Sequence, residues 1–237
     1  MELLIAGASR LDLELNPGQI SCFQAYYEEL ADWNSRINLT AITDYHDVQV
    51  KHFLDSLTVV LALPKPLPAD FKLIDVGSGG GFPGLPIKIM FSQIELVLLE
   101  STNKKADFLR HMVQRLGLER VKVVTGRAEE TAHLPDYREQ FYMAVARGLA
   151  EMAALAELTL PFCRVGGRLI AQKKGDIAAE LSVAVKAVKI LGGGTIEAKS
   201  IEIPEFTDSR CLVIVEKVEE TPPQYPRRPG IPAKRPL

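Results

Sequence analysis

The sequence has few cysteines and no long apolar run, and both shortages exclude classes of protein. Only three of its 237 residues are cysteines, at positions 22, 163 and 211. Their odd number and wide spacing fit neither a disulfide framework nor the ligand pairs of a zinc site, so we expect free thiols and no bound metal. No apolar stretch approaches the roughly 20 residues that cross a bilayer, and the first residues do not resemble a signal peptide. We therefore expect a cytoplasmic protein with no membrane partner.

Charge is nearly balanced, with 28 basic and 30 acidic residues and a net charge of −2. This balance does not by itself indicate a nucleic-acid-binding protein. The distribution is uneven, however, because residues 1–70 have a net charge of −6 and residues 71–217 have +2. The last sixteen residues contain four bases and no acid. A polyanionic partner would therefore have to bind a local basic surface formed by the second half of the chain and its end.

The first 65 residues have the periodicity of helices. Apolar side chains recur at helical spacing between Ile20 and Leu30, and again between Val50 and Leu61. A proline-rich segment, PKPLP, then interrupts the pattern. We predict three parts: a helical extension over residues 1–66, a main domain over residues 67–218 and a Pro/Arg-rich tail over residues 219–237.

Strand and helix patterns alternate after this linker. Predicted strands lie at 71–76, 94–100, 121–125, 141–146 and 166–173. Such alternation indicates an α/β protein with a parallel sheet and right-handed crossovers. Two more strand patterns, 195–203 and 210–217, follow each other with no helix between them, so we expect the mostly parallel sheet to end in an antiparallel hairpin. The last sixteen residues contain six prolines. We expect them to run extended over a surface, without forming a helix.

The segment LIDVGSGGGFPG, residues 73–84, joins the first predicted strand to a helix through a glycine-dense turn. Backbone N–H groups in such a turn approach a ligand closely because no side chain intervenes. Residues 79–84 match the dinucleotide-binding pattern G-x-G-x-x-G, which is a weak signal when it stands alone. A tight strand-to-helix turn that binds nothing would have the same sequence.

Acids at the ends of the next two strands strengthen the prediction of a ligand. Glu100 ends the second strand, nineteen residues after Gly81, where an acid commonly accepts the hydroxyls of a ribose. Ala128 and Glu129 follow the third strand and are suited to an adenine ring and its amino group. Since parallel strands end at one edge of the sheet, these residues should lie together. We expect an adenosine-bearing cofactor.

Two observations favour a methyltransferase over a dehydrogenase. The four histidines are dispersed and no Tyr-x-x-x-Lys pair occurs, so a dehydrogenase would lack its usual proton donor. The closing hairpin is also typical of the Rossmann-like class I methyltransferases, which is the fold class that we predict.

Four segments together resemble one known family. DVGSGGGFPGLPI, RINLTAI, HFLDSL and the tail YPRRPGIPAKRPL are similar to the RsmG family, also called glucose-inhibited division protein B. The glycine loop is shared by many methyltransferases, whereas its combination with HFLDSL and the tail is specific. The resemblance covers the chain from about residue 20 to its end. It implies methylation of N7 of one guanine in 16S ribosomal RNA, with S-adenosyl-L-methionine as cofactor and the RNA or the small ribosomal subunit as partner.

The expected cofactor-binding residues come from the loop, the strand ends and the resemblance. They are Gly77, Ser78, Gly79, Phe82, Glu100, Ala128, Glu129 and Arg147. The resemblance implies the roles of Gly77, Phe82, Ala128, Glu129 and Arg147. An alternative for Arg147 is an ion pair with Glu100 or Glu129. No catalytic base is expected, because N7 of guanine already has a free lone pair and positioning alone can carry the reaction.

Candidates for the substrate side are polar residues near the predicted cleft and basic residues near the end of the chain. They are Asn38, His52, Arg210, Arg227 and Arg228. For His52 a structural hydrogen bond is the favoured alternative. The tail has its own alternative, in which it covers an apolar strip of the domain with its basic groups in water.

Two other functions fit the same sequence. The chain would be a methyltransferase for a small molecule if the helical extension formed a lid over a closed pocket. It would be a non-catalytic S-adenosyl-L-methionine sensor if the extension bound a partner protein instead. The basic tail, which contains no acid, favours an RNA substrate over both of these functions. We expect the protein to be a monomer.

Overall fold

Seven strands form a single sheet in the computed structural model, which describes residues 1–237. They are β1 (Lys72–Val76), β2 (Glu95–Glu100), β3 (Val121–Thr125), β4 (Phe141–Arg147), β5 (Cys163–Lys174), β6 (Gly193–Ile201) and β7 (Arg210–Lys217). Their order is β3-β2-β1-β4-β5-β7-β6, with β1 to β5 parallel. β7 pairs antiparallel with both β5 and β6. The predicted Rossmann-like α/β fold with a closing antiparallel hairpin is confirmed.

Helices precede the sheet and connect its strands. Before β1 lie α1 (Glu2–Ser9), α2 (Pro17–Asn34), α3 (Tyr45–Val48), a π-helical segment (Gln49–Leu54), α4 (Asp55–Leu57) and a 3₁₀ turn (Thr58–Ala62). The later helices are α5 (Gly84–Met90), α6 (Asn103–Arg115), α7 (Ala128–Thr131), α8 (Met152–Thr159) with a 3₁₀ turn (Leu160–Phe162), α9 (Ala178–Ile190) and α10 (Ile231–Lys234). None of these helices combines the length and the apolar character needed to cross a membrane.

The sheet is covered on both faces, which explains why its inner strands read as continuous apolar runs. Leu73 on β1 belongs to a hydrophobic cluster that includes residues of the amino-terminal helices. Its neighbour Ile74 points to the opposite face and belongs to a second cluster with residues of α8 and α9. Both side chains are fully buried. Successive residues of the strand thus pack into two separate hydrophobic cores.

The amino-terminal helices have no core of their own. Leu4, Phe23 and Phe53 lie in the same cluster as Leu73 and Leu98 of the sheet, and all five are fully buried. The start of α2 is fixed by a capping box, in which the side chains of Asn16 and Gln19 accept hydrogen bonds from each other's backbone N–H. The helices and the sheet thus share one core, and the predicted boundary between residues 66 and 67 stays a prediction.

The prediction that the tail forms no helix was wrong. Residues Ile231–Lys234 form the short helix α10, which begins after a turn at Gly230, where φ is +80°. Pro232 stands in the first turn of this helix, where a backbone N–H has no intrahelical partner to lose. Prolines at the start of a helix are therefore compatible with it, and α10 packs against α8.

Candidate cofactor and substrate site

The glycine loop between β1 and α5 is a tight turn that leaves part of its backbone open. Gly77 and Ser78 donate backbone hydrogen bonds of 2.8 and 3.1 Å to the carbonyl of Leu99 on β2. A Cβ atom on Gly81 would lie 2.4 Å from the hydroxyl of Tyr26, so packing requires glycine there. A Cβ on Gly79, where φ is +55°, would find no atom nearer than 3.9 Å. The backbone of Gly79 therefore borders open space.

Glu100 ends β2 directly beside this loop. Its Oε2 accepts a hydrogen bond of 2.9 Å from the N–H of Gly79, and its Oε1 accepts one of 2.7 Å from the N–H of Thr102. The carbonyl of Glu100 accepts a further bond of 3.0 Å from the N–H of Gly126, just beyond β3. The structure thus brings the loop, the end of β2 and the end of β3 together at one edge of the sheet, as the sequence predicts.

Ala128 and Glu129 begin α7 at the same edge. Ala128 is half-buried, and Glu129 is only 8% exposed. The Oε1 atom of Glu129 accepts a hydrogen bond of 2.9 Å from the N–H of Gly230 in the tail. The carboxylate therefore lies where the tail meets the expected adenine site.

Phe82 links the glycine loop to the amino-terminal helices. Its ring stacks on that of Tyr26, with centroids 5.3 Å apart, and on that of His52, with centroids 4.5 Å apart. The guanidinium carbon of Arg147 lies 4.8 Å from the centroid of the Phe82 ring. Because the ring is 5% exposed, its main contacts are with the protein itself.

Arg147 ends β4 and binds Asp55 of the HFLDSL segment, rather than Glu100 or Glu129. Its Nη1 donates to Asp55 Oδ2 at 2.9 Å and to the carbonyl of Lys51 at 3.1 Å. The other oxygen, Oδ1 of Asp55, lies 2.6 Å from Nη1 of Arg210 in an ion pair that lacks hydrogen-bond geometry. The Arg210 side chain is 2% exposed and is also bound to Asp208. Asp55 therefore joins the ends of two strands.

His52 is held as a neutral ring. Its Nδ1 lies 3.2 Å from Nη2 of Arg147 and its Nε2 lies 2.7 Å from Oγ1 of Thr40. A guanidinium can only donate, so Nδ1 accepts and Nε2 carries the proton. Burial, followed by the positive charge of Arg147, lowers the pKa of His52 to about 3. The structural hydrogen bond favoured from the sequence is present.

Asp75 is a polar residue of this region that the sequence analysis did not single out. It is fully buried on β1, and its Oδ2 accepts a hydrogen bond of 2.9 Å from the N–H of Gly84 while Oδ1 has no partner. Burial raises the pKa of Asp75 to about 7. The available signal was an acid inside an otherwise apolar strand, LIDV, directly before the glycines.

The basic residues of the tail fall into two groups. Arg227 donates hydrogen bonds of 2.8 Å from its backbone N–H and from its Nε to the carboxylate of Glu157 on α8. Glu157 is fully buried. Arg228, by contrast, is exposed, as are Lys234 and Arg235. Asn38, another substrate-side candidate, is exposed two residues before Thr40.

Solved structures share this fold with little sequence similarity. A predicted O-methyltransferase from Agrobacterium tumefaciens is 18% identical, with a TM-score of 0.54 over 71% of this chain and 81% of that chain. The precorrin-6y C5,15-methyltransferase from Geobacter metallireducens is 14% identical, with a TM-score of 0.51 over 76% of this chain and 91% of that one. At these identities the likeness supports the fold alone.

Sequence similarity is much closer to one group of proteins. The sequence model of the family described as rRNA small subunit methyltransferase G matches residues 19–207. A ribosomal RNA small subunit methyltransferase G from Dehalococcoides mccartyi is 54% identical over the full length of both chains. Its counterpart from Moorella thermoacetica is 48% identical over 99% of this chain and 97% of that protein. The chain belongs to the rRNA small subunit methyltransferase G family.

Proposed function

We propose that the protein transfers a methyl group from S-adenosyl-L-methionine to N7 of a guanine in 16S ribosomal RNA. The observation that carries this proposal is a glycine loop suited to the cofactor beside two groups, His52 and Asp55, whose acceptor atoms are already engaged by arginines. The names of the full-length relatives support a small-subunit ribosomal RNA as the substrate.

The residues at the edge of the sheet fit such a cofactor. The open backbone at Gly79 allows a ligand to lie close to the chain, as G-x-G-x-x-G turns do. In this proposal Glu100 accepts hydrogen bonds from the ribose hydroxyls, and Glu129 accepts one from the amino group of adenine. When bound, the cofactor supplies an electrophilic methyl group on a positively charged sulfur.

The groups next to Phe82 are suited to positioning rather than to removing a proton. His52 stays neutral near pH 7 and its only acceptor nitrogen is taken by Arg147. Asp55 is shared between Arg147 and Arg210, so its charge is compensated on both sides. This arrangement supports an acceptor that needs no deprotonation, such as the lone pair of a ring nitrogen.

Exposed cations of the tail are candidates for contact with the RNA backbone. Arg228, Lys234 and Arg235 are exposed on a segment that reaches Glu129 at the cofactor edge. Lys and Arg side chains bind phosphates and supply most of the sequence-independent affinity for RNA. Arg227 and Arg210 are engaged by protein carboxylates, so we propose structural roles for both in place of RNA contacts.

The test is methylation of small-subunit RNA by the purified protein with labelled S-adenosyl-L-methionine. Methylation at N7 weakens the glycosidic bond of a guanosine. Treatment with borohydride and then aniline should therefore cleave the RNA chain at the one methylated guanosine. A transcript made with 7-deazaguanosine lacks the acceptor nitrogen and serves as the matched control. We expect label in the first RNA and none in the second.

Three outcomes would contradict the proposal. Label that resists aniline cleavage would indicate an exocyclic amine or a ribose hydroxyl as acceptor. Binding of cofactor with no transfer to naked RNA or to the small subunit would favour a small-molecule substrate or a sensor. Single-turnover rates at saturating cofactor that rise tenfold per pH unit between about pH 6 and 8 would indicate that a base must first remove a proton.

A further inference from the structure

The tail contacts one of the expected cofactor-binding acids through its own backbone. Gly230 donates its N–H to Oε1 of Glu129 at 2.9 Å, which leaves Oε2 of that carboxylate without a protein partner. Glu129 is 8% exposed, so few other orientations are open to it. Gly230 has φ of +80°, in the left-handed region that favours glycine, and this turn points its N–H towards α7.

An ion pair with a buried carboxylate fixes the tail three residues before that contact. Arg227 donates from its backbone N–H and its Nε to Oε1 of Glu157, both at 2.8 Å, and from Nε to Oε2 at 3.1 Å. Glu157 lies on α8 and is fully buried. Several charge-assisted hydrogen bonds to one buried carboxylate form a rigid attachment, because the guanidinium plane and the carboxylate plane must align.

Two further residues hold the tail segment that precedes Arg227. His133 lies 2.8 Å from the carbonyl of Pro226, and since a carbonyl only accepts, the ring nitrogen Nε2 donates. Arg138 donates to the carbonyls of Thr221 and Tyr225 at 2.7 and 2.9 Å. The tail is thus fastened at several points between Thr221 and Gly230, and the contact with Glu129 lies at the end of this stretch.

We propose that the tail is a positioning element for the adenine end of the cofactor, with Arg227 acting through Gly230 on Glu129. This inference rests on the proposed function, because it assumes that Glu129 accepts a hydrogen bond from the adenine amino group. With Oε1 engaged by Gly230, Oε2 is the oxygen left for that amino group. A base with a carbonyl oxygen at the same position would be repelled by this carboxylate, because both groups are hydrogen-bond acceptors. The tail therefore contributes to the discrimination between adenine and such a base.

The experiment is calorimetry with S-adenosyl-L-homocysteine and S-inosyl-L-homocysteine, which carries a carbonyl in place of the amino group at position 6 and a proton on the adjacent N1. We expect the unsubstituted protein to prefer the adenosyl compound. In Arg227→Ala the affinity for the adenosyl compound should fall about tenfold, the loss expected for one misplaced hydrogen bond to a charged group, while the affinity for the inosyl compound changes little. The ratio of the two affinities is the readout, since a general loss of folded protein would not change it.

Three variants support this measurement. Arg164→Ala removes an exposed arginine at the opposite edge of the sheet and should leave both affinities unchanged. Arg227→Met with Glu157→Leu removes the ion pair without leaving a buried charge unpaired, so it provides a second test if Arg227→Ala does not fold. In a Glu129→Ala background, Arg227→Ala should cause no further loss, because the acid on which it acts is gone.

The outcomes separate this inference from the proposed function. If the unsubstituted protein binds neither compound, both are wrong. If it binds the adenosyl compound and folded Arg227→Ala keeps the full preference for it, the tail inference is wrong and the proposed function stands. Independent losses from Glu129→Ala and Arg227→Ala would also overturn the inference, since they would show that Arg227 does not act through Glu129.

Discussion

Asp55 of the amino-terminal segment accepts a hydrogen bond of 2.9 Å from Arg147 at the end of β4. The two residues are 92 positions apart in sequence. Their side chains are 6% and 16% exposed, so the pair is largely removed from water. Since Arg210 of β7 binds the other oxygen of Asp55, one carboxylate fastens the helical segment both to the parallel part of the sheet and to its antiparallel hairpin. The segment HFLDSL is therefore part of the site's framework.

Asp55→Ala should destabilise the fold strongly. The substitution leaves two buried guanidinium groups without their shared counter-charge, and breaking a buried pair typically costs about 3–5 kcal/mol. We expect a loss of that order in the free energy of unfolding, measured by urea titration. The control is Asp32→Ala, which breaks an ion pair with Arg36 whose side chains are both 61% exposed. Its effect should stay below about 1 kcal/mol, and equal effects of the two variants would contradict the prediction.

His52 should make stability depend on pH below neutrality. Its pKa in the folded state is about 3, against an ordinary value of 6.5, so between these values the unfolded chain binds a proton that the folded chain does not. The contribution of neutral His52 to the free energy of unfolding is therefore complete above pH 6.5 and is lost as the pH falls towards 3. Between about pH 7 and 5 it should decrease by about 2 kcal/mol.

The contribution of His52 has to be measured against a variant, because Asp75 acts in the opposite direction. The pKa of Asp75 is raised to about 7, so its folded state holds a proton that the unfolded state releases, and stability falls as pH rises from 4 to 7. The difference in unfolding free energy between the unsubstituted protein and His52→Gln isolates the histidine. If that difference is constant from pH 7 to 5, His52 is not held neutral.

Gly79→Val should abolish cofactor binding while the protein stays folded. The branched side chain would enter the open space beside the loop and would disfavour the φ of +55°. The matched control is Gly166→Val, because Gly166 also has a positive φ, +81°, with open space around it, but lies near the start of β5, away from the loop. We expect at least about a hundredfold loss of S-adenosyl-L-homocysteine affinity in the first variant and none in the second, by calorimetry, with circular dichroism as the check on folding.

The sheet and one edge of the site follow from local sequence. The strands β3 and β7 occupy the residues that their apolar patterns predict, 121–125 and 210–217. Glu100 comes to the glycine loop, and Glu129 to the same edge of the sheet, because parallel strands end at a common edge. These predictions required only periodicity, turn residues and the rules of α/β connection.

Partners in long-range ion pairs could not be predicted in this way. Arg147 pairs with Asp55 and Arg227 pairs with Glu157, and no spacing in the sequence distinguishes these acids from exposed ones. Burial of Glu157 depends on how the tail packs on α8, and that packing depends in turn on the turn at Gly230. Position in the fold, rather than residue type, decided which arginines are engaged by the protein and which are exposed.

The exposed cations of the tail lead to a prediction about RNA binding. Replacing Arg228, Lys234 and Arg235 with alanine should weaken binding of small-subunit RNA and reduce its dependence on salt. For single-stranded RNA the slope of log affinity against log salt should fall by about 0.7 for each phosphate that the variant no longer binds. Cofactor affinity should stay unchanged, because Arg227 still fastens the tail to Glu157.

A triple variant at the opposite edge of the sheet provides the control for charge. Lys72, Arg120 and Arg164 lie within one residue of the starts of β1, β3 and β5, and their side chains are 45%, 49% and 44% exposed. Alanine at these three positions removes the same net charge from a surface far from the glycine loop, so RNA affinity and salt slope should change little. If both triple variants lower the slope equally, the attraction is a property of total charge and the tail has no special part in it. If the tail variant keeps its slope but has a lower melting temperature, the tail serves only to cover the domain.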